Sequence, residues 1–188
     1  MDQATGSKSE VIMAGVGGMG VMVAGQVLAH AALPHYKHVS WVPSYAVQKR
    51  GGDCHCTVIL SNEPIASPIL DQTQSILLFD ASQLAFFESR VRPGGLLIIE
   101  QAGLRAPVSR KDINVLPIAG LEKAVHLGDA LVNNLVLLGV YIAKENVLPA
   151  EVIEAELDKT YRDKEDRLTL NKEAFRQGLE LATMASVS

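Results

Sequence analysis

Six residues near the amino end, Gly15-Val16-Gly17-Gly18-Met19-Gly20, are the first candidates for chemistry. Gly15, Gly17 and Gly20 fit the G-x-G-x-x-G spacing, in which glycine permits a sharp turn, exposes N–H groups to an anion and opens a helix whose positive end favours phosphate. The spacing has meaning only between a strand and a helix, and the flanks read as both. Residues 10–14 are a short apolar run; residues 19–32 are rich in alanine, apolar on nearly every side and stopped by Pro34. A dinucleotide site adds an acidic residue about 20 positions further on to grip the ribose. The stretch His35-Tyr36-Lys37-His38-Val39-Ser40-Trp41 has no carboxylate, which demotes NAD and leaves Lys37 or a histidine for a 2′-phosphate. Close packing of helix on strand is the structural alternative for the same glycines.

A second candidate is the loop from Pro43 to Gly52, which puts Ser44, Tyr45, Arg50, Gly51 and Gly52 where a parallel sheet presents its ligand-binding edge. Arg50 offers a planar fork for carboxylate or phosphate, and the glycine pair admits a ligand or another chain close to the backbone. The bland reading makes Arg50 a surface ion-pair residue. Cys54-His55-Cys56 lacks the second ligand pair of a structural zinc and reads as alternating strand positions. Two cysteines cannot hold a [4Fe–4S] cluster, and their spacing is too tight for an unstrained disulfide. No Ser or Cys sits in a recognisable nucleophile elbow, so the chain carries no visible catalytic kit and no metal site.

The elements that must position these groups alternate. Strands are expected at residues 37–42, ended by Pro43, then at 54–60 and 65–69 as a hairpin about Ser61-Asn62-Glu63-Pro64, and at 75–79, 96–100 and 113–118. Helices are expected at 82–91, 128–144, 150–160 and 171–185, with the charged run 158–167 as a solvated connection and not a binding patch. The fold class is α/β: a three-layer α/β/α, Rossmann-like mixed sheet, mostly parallel, with a C-terminal helical segment. A disordered tail over 1–9 and a single domain over 10–188 complete the expectation.

Composition excludes several classes. With 48% hydrophobic and 20% charged residues among 188, the chain buries a normal core. A net charge of −4 without a Lys/Arg cluster argues against nucleic acid. The longest apolar stretch, 131–143, contains Asn133 and Asn134 and falls short of the roughly 20 residues that span a bilayer, so no membrane is expected. The polar amino end and the few cysteines suit the cytoplasm.

Taken together, Gly15–Gly20, Trp41-Val42-Pro43-Ser44-Tyr45, Arg50-Gly51-Gly52, Asn62-Glu63-Pro64-Ile65 with Ser67-Pro68, Arg92-Pro93-Gly94-Gly95 and Asn133-Asn134-Leu135 resemble the gamma subunit of 2-oxoacid:ferredoxin (acceptor) oxidoreductases. The resemblance covers residues 10–182, and it lies in the order and spacing of the motifs. It implies a non-autonomous subunit of a complex that decarboxylates a 2-oxoacid, makes an acyl-CoA and reduces ferredoxin. It also implies that thiamine diphosphate, magnesium and [4Fe–4S] clusters sit on other subunits, with alpha and beta chains, and in some complexes delta, as partners. Coenzyme A is the co-substrate, and its side of the active site would be formed by Gly15, Gly17, Gly18, Met19 and Gly20 with Ser44, Tyr45, Arg50, Gly51 and Gly52. Two departures stand out: the family has Gln where this chain has Met19, and Gly-Pro-Glu where it has Ala46-Val47-Gln48. The 2-oxoacid stays open among 2-oxoglutarate, pyruvate, branched-chain and aryl acids, with a lean to 2-oxoglutarate or a branched acid. The rival classes are an NADP-binding oxidoreductase using Lys37 and a CoA- or nucleotide-binding regulatory module.

Overall fold

The computed structural model of the chain describes residues 8–45 and 52–185. Six strands form one sheet in the order β2-β3-β1-β4-β5-β6: β1 (Lys8–Val16), β2 (His38–Tyr45), β3 (Asp53–Ser61), β4 (Thr73–Leu78), β5 (Val91–Glu100) and β6 (Asn114–Ile118). β1, β4, β5 and β6 are parallel neighbours, while β3 runs antiparallel to both β1 and β2. The sheet is mixed and mostly parallel, as the alternation of elements predicts. Its central strands are unbroken apolar runs because both faces are covered: Ile12, Met13, Ile76, Leu77, Leu97 and Ile98 have no exposed surface.

The helices are α1 (Val21–Ala32), α2 (Leu84–Phe87), α3 (Gly120–His126), α4 (Asn133–Glu145), α5 (Ala150–Thr160) and α6 (Glu165–Met184). α1 and α3 to α6 pack with Val11, Met13, Val58, Leu77 and Ile98 on one face of the sheet. The other face is thinner. Phe87 of the single-turn α2, together with Val108 and Ile113, closes over Ile12, Ile76, Leu78 and Ile99. α4 is buried from Val132 through Ile142, and α6 lies directly on it. A Cβ at Gly139 would stand 2.2 Å from the Phe175 carbonyl oxygen, and one at Gly178 2.0 Å from that of Val136. The two backbones meet there with no side chain between them.

Several boundaries differ from expectation for local physical reasons. β1 begins at Lys8, inside the expected tail, because Lys8 and Ser9 pair with Ser61 and Leu60. β2 runs through Pro43 to Tyr45, since an edge strand tolerates a missing donor. No hairpin forms at 54–69: β3 pairs with β1 and β2, and 65–69 holds no strand. Ser61 Oγ accepts from the Glu63 N–H at 3.0 Å and turns the chain away. β5 begins at Val91, taking in the predicted Pro93-Gly94-Gly95 turn, where the ladder with β4 is irregular between Thr73 and Ser75. The helix expected over 82–91 is broken into α2 and flanking 3₁₀ turns. α3 was not foreseen, and α6 starts at Glu165 instead of 171.

Gly178→Ala is expected to force α4 and α6 apart and to lower stability by about 1–3 kcal/mol. Calorimetric melting of the variant checks it, and an unchanged Tm would show that the helices have room to spare.

Candidate functional site

The carboxyl ends of the parallel strands, Val16, Leu78, Glu100 and Ile118, share one edge of the sheet. Tyr45 and Asp53 reach that edge too. The glycine turn leaves β1 there and is tied to the end of the second candidate loop, with the Gly17 N–H donating to the Gly52 carbonyl at 2.9 Å. Gly18 (φ 104°) and Gly20 (φ 72°) need left-handed backbone. Gly15 keeps close packing: a Cβ there would lie 3.1 Å from Val21 and 3.2 Å from Phe79. Met19 packs against the core with its N–H on the Val16 carbonyl. Gly20 is the N-cap of α1, no side chain caps that end, and the first turn holds no acidic residue. Four N–H groups and the positive end of a twelve-residue helix are thus turned toward this edge with no side-chain cap and no acidic residue in the first turn among the described residues.

What faces the turn comes from the far end of the chain. A cavity of about 220 Å³ is lined by Gly18 and Gly20 on one wall and Tyr161, Lys164 and Arg167 on the other, over a floor that includes Val132. Lys164 immediately precedes α6 and its ammonium has no ion-pair partner among the described residues. Arg167 pairs through Nη1 with the Asp129 carboxylate. The Leu131 N–H and the Arg167 guanidinium hold that carboxyl below its ordinary range. Backbone donors, one free cation and one anchored cation around a small cavity suit a phosphate group.

These basic residues fall within the run 158–167 read as a solvated connection; both are exposed, as that reading expects, though residues from Glu165 onward are already part of α6 and the pair lines the cavity beside the glycine turn. Their one trace in the sequence is spacing at three- and four-residue intervals from Tyr161 through Lys164 and Arg167 to Asn171, although Tyr161 caps α5 and only Arg167 and Asn171 lie within α6. Nothing in the sequence says which wall they meet. The proposed Lys37 contact to a 2′-phosphate is overturned. Lys37 precedes β2 and its N–H lies 3.4 Å from Asn62 Oδ1, at the opposite edge of the sheet from the glycine turn.

The second candidate loop is only partly in view. Arg50 and Gly51 lie outside the described residues, as do Ala46, Val47 and Gln48. Ser44 does not join the glycine-turn cavity. It lines a separate one of about 360 Å³ on the thinner face with Asp53, His55, Phe86 and Phe87. Burial, and then the Arg90 charge, hold the His55 imidazole below its usual pKa, and its ring meets Phe87 edge-on at 5.4 Å. Tyr45 ends β2. Cys54 and Cys56 are free thiols on β3, and burial pushes Cys56 up to about 12. Among the described residues no three His, Cys, Asp or Glu side chains gather into a metal-holding group, and no helix is long and apolar enough to cross a membrane.

Fold and cavity together describe a Rossmann-like α/β chain with a small cavity beside its glycine turn. The chain belongs to the pyruvate ferredoxin/flavodoxin oxidoreductase family, whose pattern matches residues 10–181. It is 35% identical to the ketoisovalerate oxidoreductase subunit VorA of Methanothermobacter marburgensis over 71% of its own length and 28% of that protein's. It is 26% identical to the 2-oxoglutarate synthase subunit KorC of Methanocaldococcus jannaschii, over 93% of this chain and 94% of that one. The chain therefore spans about a third of the VorA proteins it matches and almost the whole of this KorC. Among solved structures, the keto/oxoacid ferredoxin oxidoreductase gamma subunit of Geobacter sulfurreducens superimposes with a TM-score of 0.81 at 24% identity, over 97% of this chain and 100% of that one. A 2-oxoglutarate:ferredoxin oxidoreductase from Magnetococcus marinus, with 2-oxoglutarate, coenzyme A and succinyl-CoA bound, does so with 0.87 at 20% identity, over 97% of this chain and 32% of that one. The family resemblance seen in the ordered motifs is borne out.

Two tests of the site's geometry follow from the glycines and the thiols. Both Gly18→Ala and Gly20→Ala place a Cβ at positive φ, which costs about 1–2 kcal/mol, but only at Gly20 does the new carbon also meet a neighbour, 2.4 Å from Asn134 Nδ2. Urea titration is expected to rank Gly20→Ala as the more destabilised. Cys56 is expected to resist alkylation at pH 8 in the folded protein and to react only in denaturant, as mass spectrometry of the labelled peptide would record.

Proposed function

We propose that this chain serves as the gamma subunit, or gamma-type domain, of a 2-oxoacid:ferredoxin oxidoreductase. Such a complex oxidatively decarboxylates a 2-oxoacid to acyl-CoA and CO2 and passes the electrons to ferredoxin. Thiamine diphosphate, magnesium and [4Fe–4S] clusters belong, in this reading, to alpha, beta or delta partner chains. The chain's own inventory agrees: its two cysteines cannot supply four cluster thiolates. It works in the cytoplasm, and alone it is inactive.

The observation that carries the reading is the cavity where the glycine turn meets Lys164 and Arg167. We assign it to the phosphate end of coenzyme A. The N–H groups at the start of α1 and in the turn around Gly18 and Gly20 donate to the oxyanions. Lys164 adds a mobile point charge, and Arg167, with one amino group held by Asp129, turns its remaining N–H donors to phosphate. Tyr161 supplies a ring beside them. Gly15, Gly17 and Met19 support the turn from beneath, and Gly52 fixes its outer side through the bond from Gly17. Ser44 and Tyr45, near the same carboxyl edge, are assigned to contacts with coenzyme A or the partner chains, the role proposed also for Arg50 and Gly51. The Magnetococcus marinus enzyme with coenzyme A bound lends the cofactor class support by fold alone. The VorA and KorC relatives point to a branched-chain 2-oxoacid or 2-oxoglutarate as substrate. A free-standing NADP enzyme is not favoured, because Lys37 stands at the wrong edge.

Lys164→Ala in the anaerobically assembled complex is expected to raise KM for coenzyme A about tenfold, steepest at low salt, while KM for the 2-oxoacid and the fold stay unchanged. Steady-state rates with 3-methyl-2-oxobutanoate and with 2-oxoglutarate measure this and choose the substrate together. Unchanged KM for coenzyme A, or a chain that never assembles with iron-bearing partners, overturns the reading.

A further inference from the structure

α4 begins with two adjacent asparagines in a helix otherwise almost wholly apolar, and both are buried, at 7% and 6% exposure. Asparagine is a poor helix-interior residue, and a buried amide costs stability unless its groups are bonded. Neither caps α4, whose N-cap is Val132. Each instead reaches a different loop of the carboxyl edge. Asn133 donates through Nδ2 to Glu100 Oε2 at 3.0 Å, joining the Leu121 N–H at the same oxygen. Asn134 donates through Nδ2 to the Gly20 carbonyl at 3.0 Å, while its Oδ1 accepts from the Leu135 N–H at 2.9 Å.

The Asn134 bond falls on the residue that ends the glycine turn and starts α1. The Gly20 carbonyl already accepts the first intrahelical bond from Ala24 at 3.1 Å, so the amide is its second donor. Turn and amide interlock: Gly20 needs its left-handed φ, and any Cβ there would run into Asn134 Nδ2. Five residues earlier, Asp129 holds Arg167 and is itself fixed by the Leu131 N–H at 2.9 Å. The single stretch from Asp129 to Asn134 therefore grips both walls of the cavity, the cationic one through Asp129 and the backbone one through Asn134. Downstream, the glycine contact between α4 and α6 carries Lys164 along with them.

We propose that Asn134 is a positioning residue of the coenzyme A pocket, setting the gap between the glycine-turn N–H groups and the Arg167 and Lys164 cations, with Asp129 as its counterpart on the cation side. The inference rests on the coenzyme A reading. Phosphate oxygens bond well only within a few tenths of an ångström, so losing the brace weakens ligand binding without touching the reacting atoms.

The test uses the assembled complex and coenzyme A itself. Asn134→Asp keeps the shape but aims an acceptor at the Gly20 carbonyl, and is expected to raise KM for coenzyme A about tenfold with kcat and KM for the 2-oxoacid within twofold. Asp129→Asn, at a side chain 24% exposed that caps a single 3₁₀ turn, should raise the same KM several-fold. Asn133→Ser should lower Tm and leave KM for coenzyme A alone. If Asn134→Asp and Asp129→Asn change Tm but not KM for coenzyme A, the brace is purely structural and the inference falls while the pocket assignment stands. If the wild-type complex turns over without saturating in coenzyme A, the pocket assignment falls and takes the inference with it.

Discussion

The approach of α4 to α6 through Gly139 and Gly178 is the constraint on which the carboxyl edge depends. With no Cβ at either position the two helices meet backbone to backbone. α6 then begins close enough to the sheet for Lys164 and Arg167 to overhang the glycine turn, while the first residues of α4 reach back to Gly20 and Glu100. A side chain of ordinary size between the helices would move the cations by more than a hydrogen bond tolerates. Packing in the core and recognition at the edge are in this way one problem. The apolar stretch that carries α4 is consumed inside the chain, which leaves the rim, where Leu131 and Val125 are more than half exposed, for contacts outward.

Polar groups buried near that edge are arranged as ties, not as reactants. Glu100, at 2% exposure, takes the Ala102 and Leu121 N–H groups and the Asn133 amide, so that one carboxylate gathers the end of β5, the start of α3 and the start of α4. At the other edge Glu10, equally buried, lies between Lys8 and Arg92. A buried carboxylate is tolerable when its partners are complete and costly when one is removed. Cys56 is buried and held protonated, the reverse of what a nucleophile or a thiolate metal ligand requires.

The sequence by itself determined the period of the elements, the glycine turn with its strand and helix, and the family, because these rest on local apolar runs, on glycine at fixed spacing and on the order of short motifs. It also determined a negative: with two cysteines the chain cannot carry its own cluster. What it left undecided was every relation between distant segments. The turn at Ser61–Pro64 was legible, but not that β3 pairs with β1 and β2 in place of a hairpin with 65–69, because strand pairing joins segments distant along the chain. Pro43 ends a strand by local rules, yet an edge position made it harmless. Lys164 and Arg167 read as solvated charge, since nothing along the chain announces that the start of α6 will share a cavity with a glycine turn at the other end of the sequence. Tertiary structure alone decided that meeting, through a glycine contact and an asparagine bond whose partners are adjacent only in space.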